Sequence, residues 1–293
     1  MPSKTPPLIG FIGQGFIGKH MADDFENRGY APVRYAVEEP YIVNKDKIAQ
    51  CDITFIAVPT PTTPNGFDFS IIRSVLPLIG KGKIAVIKST ILPGTTEKLQ
   101  ADFPDIVIMH SPEFLREKSA AEDTAHPERN IVGITVDDTK HRKLAEQVMA
   151  VLPNAPHEYI TTARNAESVK YIGNVFLALK VNFFNIAYDF ATASGADWEQ
   201  VHSIVVDDSR IGPGHTRVVD QSGAATTAGR GAGGHCFPKD LQAFIEQFSR
   251  VTNESAGTAF LEAFRNYNNH LLTASHKDLN LLHGIYGKTI PTA

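Results

Sequence analysis

The sequence predicts an α/β protein: an N-terminal doubly wound parallel sheet followed by an all-helical second domain, joined through a long connecting helix. Three observations predict it. A glycine pattern, Gly13-x-Gly15-x-x-Gly18, directly follows the apolar run Leu8 to Ile12. Short apolar runs then alternate with helical patterns up to Val151, the signature of strand–helix–strand units. Beyond Pro153 to Pro156 the periodicity becomes that of long helices, with no strong strand.

Each element follows in order. Leu8 to Ile12 reads as the first buried strand, Lys19 to Arg28 as a helix stopped by Gly29, and Val33 to Val37 as the second strand. The glycines therefore sit in the strand–turn–helix–strand setting of a Rossmann-type unit. Further strands are expected at Ile53 to Val58, Ile84 to Ile87, Ile106 to Met109 and Ile131 to Thr135, with a helix over Asp138 to Val151. The proline pair at 153 and 156 marks the hinge, giving a first domain over residues 1–157 and a second over 158–293. Asn165 to Ala193 reads as one long apolar helix and Asp197 to Asp207 as another. A Gly-, Thr- and Ala-rich loop fills Asp208 to Gly234, and helices follow at Leu241 to Phe248 and Ala256 to Leu272.

Composition narrows the function classes. Of 293 residues, 42% are hydrophobic and 20% charged, as in globular proteins generally. A net charge of −4 argues against a broad nucleic-acid footprint. No apolar run is long enough to span a bilayer, and Met1 to Pro7 lacks a secretory pattern. Two distant cysteines, Cys51 and Cys236, do not make a disulfide framework, so a cytoplasmic setting is expected. The histidines show no metal-ligand spacing, and no metal is expected.

The glycine pattern carries a mechanism. Gly13 makes the tight turn, Gly15 lets the backbone approach a pyrophosphate, and Gly18 lets helix and strand pack closely; Phe16 and Ile17, between the last two glycines, are expected at the cofactor with them. That helix N-terminus offers N–H groups and a positive dipole end to phosphate. Glu38, with Glu39 beside it, is placed to bind the adenosine ribose hydroxyls, which favours NAD over NADP. Arg34 is the counter-argument, since an arginine there can take a 2′-phosphate.

The second chemical signal is the run Gly229-Arg230-Gly231-Ala232-Gly233-Gly234-His235-Cys236-Phe237-Pro238-Lys239-Asp240. A thiol after a glycine-rich loop, with cations nearby, reads as a nucleophile more than as core filler. Cys51 abuts a strand and reads as structural. Lys170 and Asn174 fall one turn apart on one helix face, just before a strongly apolar run, which favours function over a solvated face. Arg129 and Arg210 read equally as phosphate contacts or structural ion pairs. His235 reads as tuning the thiol, contacting substrate, or merely occupying its place.

Further segments complete an ordered set: Val58 to Thr62, Ser89 to Thr96, Ser111 to Glu117, His126 to Gly133, Ala166-Glu167-x-x-Lys170-x-x-x-Asn174, and Asp208 to Gly212. With the glycine fingerprint and the cysteine loop, over roughly residues 8 to 272, they resemble the UDP-glucose/GDP-mannose dehydrogenase family. The sequence departs from that family in three ways. The family's third, C-terminal nucleotide-sugar-binding domain is expected to be lacking. Only twelve residues separate Glu38 from Cys51, fewer than family members usually carry. Ala232 and His235 stand where the family commonly has Phe and Ser.

The resemblance implies NAD-dependent, four-electron oxidation of a sugar-nucleotide primary alcohol to a carboxylate. It assigns Asp240, with Lys170 and a water, to the proton transfer, and Cys236 to thiohemiacetal and thioester formation. Thr90 and Glu113 are assigned to the hydrolytic water, although Thr90 also reads as a helix cap before Pro93. Asn174 joins Lys170 at the substrate. Pro59, Thr60, Thr90 and Glu117 are expected at the cofactor; Phe114, Leu115, Arg116, Glu117, Arg210 and Gly233 are expected at the substrate. Glu117 is expected one turn past Glu113 if that segment is helical. Two other readings compete: a two-electron β-hydroxyacid-type dehydrogenase, which needs no cysteine, and a catalytically altered nucleotide-binding paralogue. Without a third domain the long helix would present an uncovered apolar face, so a homodimer through the second domain is expected.

Overall fold

The computed structural model describes residues 6–222 and 227–292, leaving out the side chain of residue 117. In chain order the strands are β1 (Ile9–Ile12), β2 (Val33–Tyr35), β3 (Ile53–Ile56), β4 (Thr62–Thr63), β5 (Gly66–Phe67), β6 (Ile84–Ile87), β7 (Val107–His110), β8 (Arg129–Ile134), β9 (His157–Thr162), β10 (Val219–Asp220) and β11 (Gly229–Arg230). The helices are α1 (Phe16–Asn27), α2 (Ser70–Val75), α3 (Thr95–Asp102), α4 (Ala120–Ala125), α5 (Thr139–Met149), α6 (Ala163–Ala193), α7 (Trp198–Val206), α8 (Phe237–Thr252), α9 (Ser255–Ala274) and α10 (Leu279–Tyr286). The chain divides into two compact units. The first is Met1–Thr60 with Asp68–Lys170, and the second is Pro61–Phe67 with Tyr171–Ala293.

The first unit is built on a seven-stranded sheet of order β2-β1-β3-β6-β7-β8-β9. Every pairing is parallel except β7 with β8. The chain runs from β1 to β2 on one side and returns with β3 on the other, so β1 lies at the switch in strand order. Ligands bind such sheets there, beyond the strand C-termini. Strands β1, β3 and β6 are buried throughout, which is why they read as continuous apolar runs. Phe11 lies 5.3 Å from Phe55 and 5.2 Å from Phe25 between ring centroids, packing the first strands under α1.

The second unit is helical, with two short antiparallel ribbons, β4–β5 and β10–β11. Its core gathers Val175, Ala178, Ala232, Leu241, Ile245 and Phe264 from α6, the glycine-rich loop, α8 and α9.

The structure differs from the sequence reading at several points. β9 lies beyond the Pro153–Pro156 hinge yet pairs with β8 over six residues. Its sequence, HEYITT, is polar because it is an edge strand left largely exposed, so no apolar run announces it. The first unit extends through Lys170, into the first turns of α6, later than the hinge at 157 suggests. A 3-10 helix, Tyr41–Gln50, occupies the short stretch between Glu38 and Cys51. The last stretch forms α10.

Candidate functional site

The nucleotide cradle lies at the C-terminal end of β1. Gly13 has φ +91°, and a Cβ there would lie 2.2 Å from the Ala57 carbonyl oxygen. A Cβ on Gly18 would lie 1.9 Å from the Gly13 carbonyl oxygen, so only glycine lets α1 sit this close to the turn. Around Gly15 nothing lies within 4 Å of a built Cβ. Gly15 is also the N-cap of α1 and, as a glycine, supplies no side-chain cap, so the first-turn N–H groups are left without a capping side chain from that residue. Two glycines fixed by close packing and one left open are what a pyrophosphate-binding turn needs. The helix begins at Phe16, three residues before the expected Lys19, so Phe16, exposed, and Ile17 form its first turn.

Glu38 is exposed just beyond β2, where its backbone carbonyl accepts from the Tyr41 and Ile42 N–H groups. Arg34 is engaged elsewhere: its guanidinium lies 2.7 Å from Asp23 and 2.7 Å from Glu26. Two carboxylates thus neutralise the one cation that argued for a 2′-phosphate. The neighbouring strand ends are tied together. Ser89 Oγ donates to the Val58 carbonyl at 2.6 Å, and Thr60 Oγ1 donates to the Thr90 carbonyl at 2.7 Å. Pro59 sits between those ties, and Thr90 is buried. The cap of α3 is Gly94, so Thr90 is not the helix cap.

A charged cluster forms at the C-terminal ends of β6 and β7. Lys170 Nζ lies 3.0 Å from Glu113 Oε1, with both side chains almost fully buried. Lys88, which the sequence reading did not single out, is also buried; its Nζ donates to Ser111 Oγ at 3.1 Å and to the Pro112 carbonyl at 3.4 Å. Burial pushes Lys88 down to about 8, with the nearby Lys170 adding to the fall and Glu113 opposing it. One carboxylate therefore faces two buried ammonium groups. His110, the last residue of β7, is fully buried; burial, with the nearby Lys88 adding to the effect, pushes it down to about 3.

Glu113 and Glu117 are not in one helix: residues 111–116 are non-helical and a 3-10 turn begins at Glu117. The cause is local, since the Glu113 carboxylate accepts from the Leu115 N–H at 2.7 Å and turns the chain. Phe114 lies under two cations, with the Arg129 guanidinium 4.0 Å and Lys170 Nζ 5.4 Å from its ring centroid. Arg116 is bound to Asp123, and Arg210 to Asp208, so each exposed guanidinium already has a carboxylate partner.

Glu167 lies on α6, three residues before Lys170. Its buried carboxylate accepts from the Gly94 N–H, the Thr96 N–H and Thr96 Oγ1, at 2.6, 2.8 and 2.6 Å. It thereby fixes the loop that carries Thr90. Burial pushes it up to about 7 against those three hydrogen bonds.

In the second unit, Cys236 is the exposed N-cap residue of α8. One turn on, Asp240 is fully buried; Lys239 Nζ lies 2.6 Å from its Oδ1, and Asn174 Nδ2 donates to its Oδ2 at 2.6 Å. Thr62 Oγ1 donates to the Lys239 carbonyl at 3.0 Å, which ties β4 to the same turn. Gly233 is half-buried in the loop leading to the thiol. Cys51 is buried, and burial raises its thiol to about 11, so it is chemically inert. Among the described residues no cluster of metal-ligating side chains occurs, and no helix is long and apolar enough to cross a membrane.

An open, mostly parallel sheet with a glycine cradle at its switch point defines a dinucleotide-binding α/β protein, here with an added helical unit that carries an exposed thiol. Residues 39–152 match the NAD-binding domain of the UDP-glucose/GDP-mannose dehydrogenase family and residues 164–270 match its central domain; the chain belongs to that family. It is 32% identical over 255 residues to UDP-glucose 6-dehydrogenase YwqF of Bacillus subtilis, covering 83% of this chain and 54% of that protein. The chain thus spans about half the length of the curated relatives it matches. Among solved structures it is similar to a UDP-glucose dehydrogenase from Pyrobaculum islandicum, with TM-score 0.78, 28% identity, and coverage of 97% of this chain and 72% of that one. A 3-hydroxyisobutyrate dehydrogenase from Mycobacterium tuberculosis shares the fold alone, at TM-score 0.68 and 15% identity, covering 94% of this chain and 96% of that one.

Proposed function

We propose that this chain is an NAD-dependent dehydrogenase that oxidises the primary alcohol of a nucleotide sugar to a carboxylate, using Cys236 as nucleophile. The observation that carries the proposal is the start of α8. There an exposed thiol stands on the N-cap residue of the helix, and one turn later a buried carboxylate is held between an ammonium and an amide.

The cradle at Gly13, Gly15 and Gly18 fits a dinucleotide pyrophosphate, with Glu38 for the ribose hydroxyls and Pro59, Thr60 and Thr90 toward the nicotinamide half; the Glu117 side chain, also expected at the cofactor, lies outside the described residues. When bound, NAD supplies the two-electron acceptor for each oxidation. The chain's own groups do the rest. Asp240, pinned by Lys239 and Asn174, accepts the hydroxyl proton, through water and with Lys170 as the electrostatic partner. Lys170 stabilises the negative charge on the substrate oxygen. The Cys236 thiolate is favoured by the helix N-terminus and adds to the aldehyde carbon to give a thiohemiacetal. The second oxidation leaves a thioester on Cys236. Glu113, assisted by Thr90, directs the water that releases the acid and restores the thiol. Phe114, Leu115, Arg116, Arg210 and Gly233 are the proposed substrate contacts, with Asn174 and Lys170. A chemistry that depends on Cys236 as a thiol fits a reducing compartment such as the cytoplasm.

The oligomeric reading rests on α6. Ile172, Phe176, Phe183, Ile186 and Phe190 are all more than half exposed and recur at helical spacing along it. Such a stripe favours a homodimer formed through the second unit.

The test is stoichiometry over a panel of UDP-, GDP- and unactivated sugars, with product masses. Two NADH per substrate and a carboxylate product are expected, and Cys236→Ser is expected to abolish acid formation. One NADH per substrate, unchanged by Cys236→Ser, would instead establish the two-electron reading. Tight NAD binding without turnover on any sugar would point to a catalytically altered paralogue.

A further inference from the structure

The backbone leading to Cys236 is gripped from residue 229 to residue 234, and most of the grip comes from one turn, Ser275 to Asp278, between α9 and α10. Ser275 Oγ accepts from the Arg230 N–H at 3.0 Å. Lys277 is buried, and its Nζ donates to the Gly229 and Gly231 carbonyls at 3.3 and 3.0 Å. Asp278 Oδ2 accepts from the Gly234 N–H at 2.7 Å and from Ser222 Oγ at 2.8 Å. Asn268 completes the hold from α9: its side chain accepts from the Ala232 N–H at 2.8 Å and donates to the Ala232 carbonyl at 3.0 Å.

Two features set the turn apart from an ordinary helix connection. His276 and Asp278 are both non-glycine residues in the left-handed region, at φ 54° and 56°. Such residues persist where the surroundings over-determine them. Asp278 is also the N-cap of α10, where an aspartate ordinarily accepts from its own helix, yet it makes no side-chain cap bond there. Its carboxylate is turned to Gly234, two residues before the thiol. The glycines match this arrangement: a Cβ on Gly233 would lie 2.1 Å from Asp278 Oδ2, and one on Gly229 would lie 2.7 Å from Ser275 Cβ.

We propose that Lys277 and Asp278 are positioning residues for Cys236. They lock the glycine loop so that the thiol is presented at the first turn of α8. The role rests on Cys236 being the nucleophile, but the lock itself is measurable without turnover.

The full chain is compared as wild type, Asp278→Ala, Asp278→Asn and Lys277→Met. Hydrogen exchange is read on the peptide spanning 229–236, and Cys236 carbamidomethylation by iodoacetamide is followed by peptide mass. Loss of a hydrogen bond to a charged group is expected to speed exchange at Gly234 by about tenfold or more in Asp278→Ala. The alkylation rate should change by about fivefold, and kcat should fall by about tenfold with KM nearly constant. Asp278→Asn still presents one acceptor oxygen and should restore all three readouts to within about threefold. Lys277→Met should speed exchange at Arg230 to Ala232. If Asp278→Ala does not fold, Gly233→Ala, which pushes the carboxylate off Gly234, should give the same exchange signature. Exchange and alkylation within about twofold of wild type in these variants would overturn the proposal, as would Asp278→Asn being as damaged as Asp278→Ala. Full turnover by Cys236→Ser would remove the nucleophile reading, while exchange still decides the lock.

Discussion

Replacing Lys88 by methionine tests the buried charge cluster. Lys88 lies fully buried with its ammonium near Glu113 and Lys170, and burial pushes it from 10.5 to about 8. The folded state thus binds the Lys88 proton less tightly than the unfolded state. The resulting penalty on stability is complete below about pH 8 and is relieved as pH rises toward 10.5. A fall of that size corresponds to a penalty of about 3 kcal/mol at pH 7 and about 1 kcal/mol at pH 10. Methionine carries no charge and nearly the same volume, so it removes the penalty. It also strips the donor from Ser111 Oγ and the Pro112 carbonyl, which costs about 1–2 kcal/mol. Lys88→Met is therefore expected to be more stable than wild type by about 1–2 kcal/mol at pH 7, and the advantage should fall by about 2 kcal/mol, and so vanish, at pH 10. Thermal melts at the two pH values read this directly, as a change of roughly 4–8 °C in the difference between the midpoints. A difference that stays flat between pH 7 and pH 10 would refute the buried-cation account. Turnover should fall in the same variant, because Glu113 would keep only Lys170 as a cationic neighbour.

Two further outcomes follow from the geometry. Gly15→Ala meets nothing within 4 Å, so it should fold with an unchanged melting midpoint but lose about tenfold or more in NAD affinity by calorimetry; Gly13→Ala, at φ +91° and 2.2 Å from a carbonyl oxygen, should unfold at lower temperature even without NAD. Light scattering is expected to report a dimer that Phe176→Asp with Phe183→Asp dissociates, and a monomeric wild type at working concentration would remove that proposal.

Much of the fold was legible because its signals are local. The glycine turn, the buried strands β1, β3 and β6, and the long helix α6 each reside in a few consecutive residues whose spacing has one reading. β9 escaped because an edge strand buries little and need not be apolar. The condition that residues 113–117 be helical is not met for a similarly local reason: a carboxylate-to-backbone bond to Leu115 competes with the helix. The roles of Lys88, Glu167 and Asp278 had no such signature. A lone lysine or carboxylate looks the same in sequence whether it is solvated or buried.

The sequence by itself determined the dinucleotide turn, the parallel sheet, the thiol after its glycine loop and the pairing of Lys170 with Asn174 along one helix face. These depend on backbone conformation and spacing along the chain. Only the tertiary structure decided which charges meet. It joined Glu113 to Lys170 and Lys88, held Asp240 between Lys239 and Asn174, neutralised Arg34 with Asp23 and Glu26, and set Asp278 against Gly234. Most of these contacts join residues far apart in sequence, as Glu113 to Lys170, Asn174 to Asp240 and Asp278 to Gly234 do, and where they are buried, as at Glu113 and Asp240, the low-dielectric surroundings strengthen them.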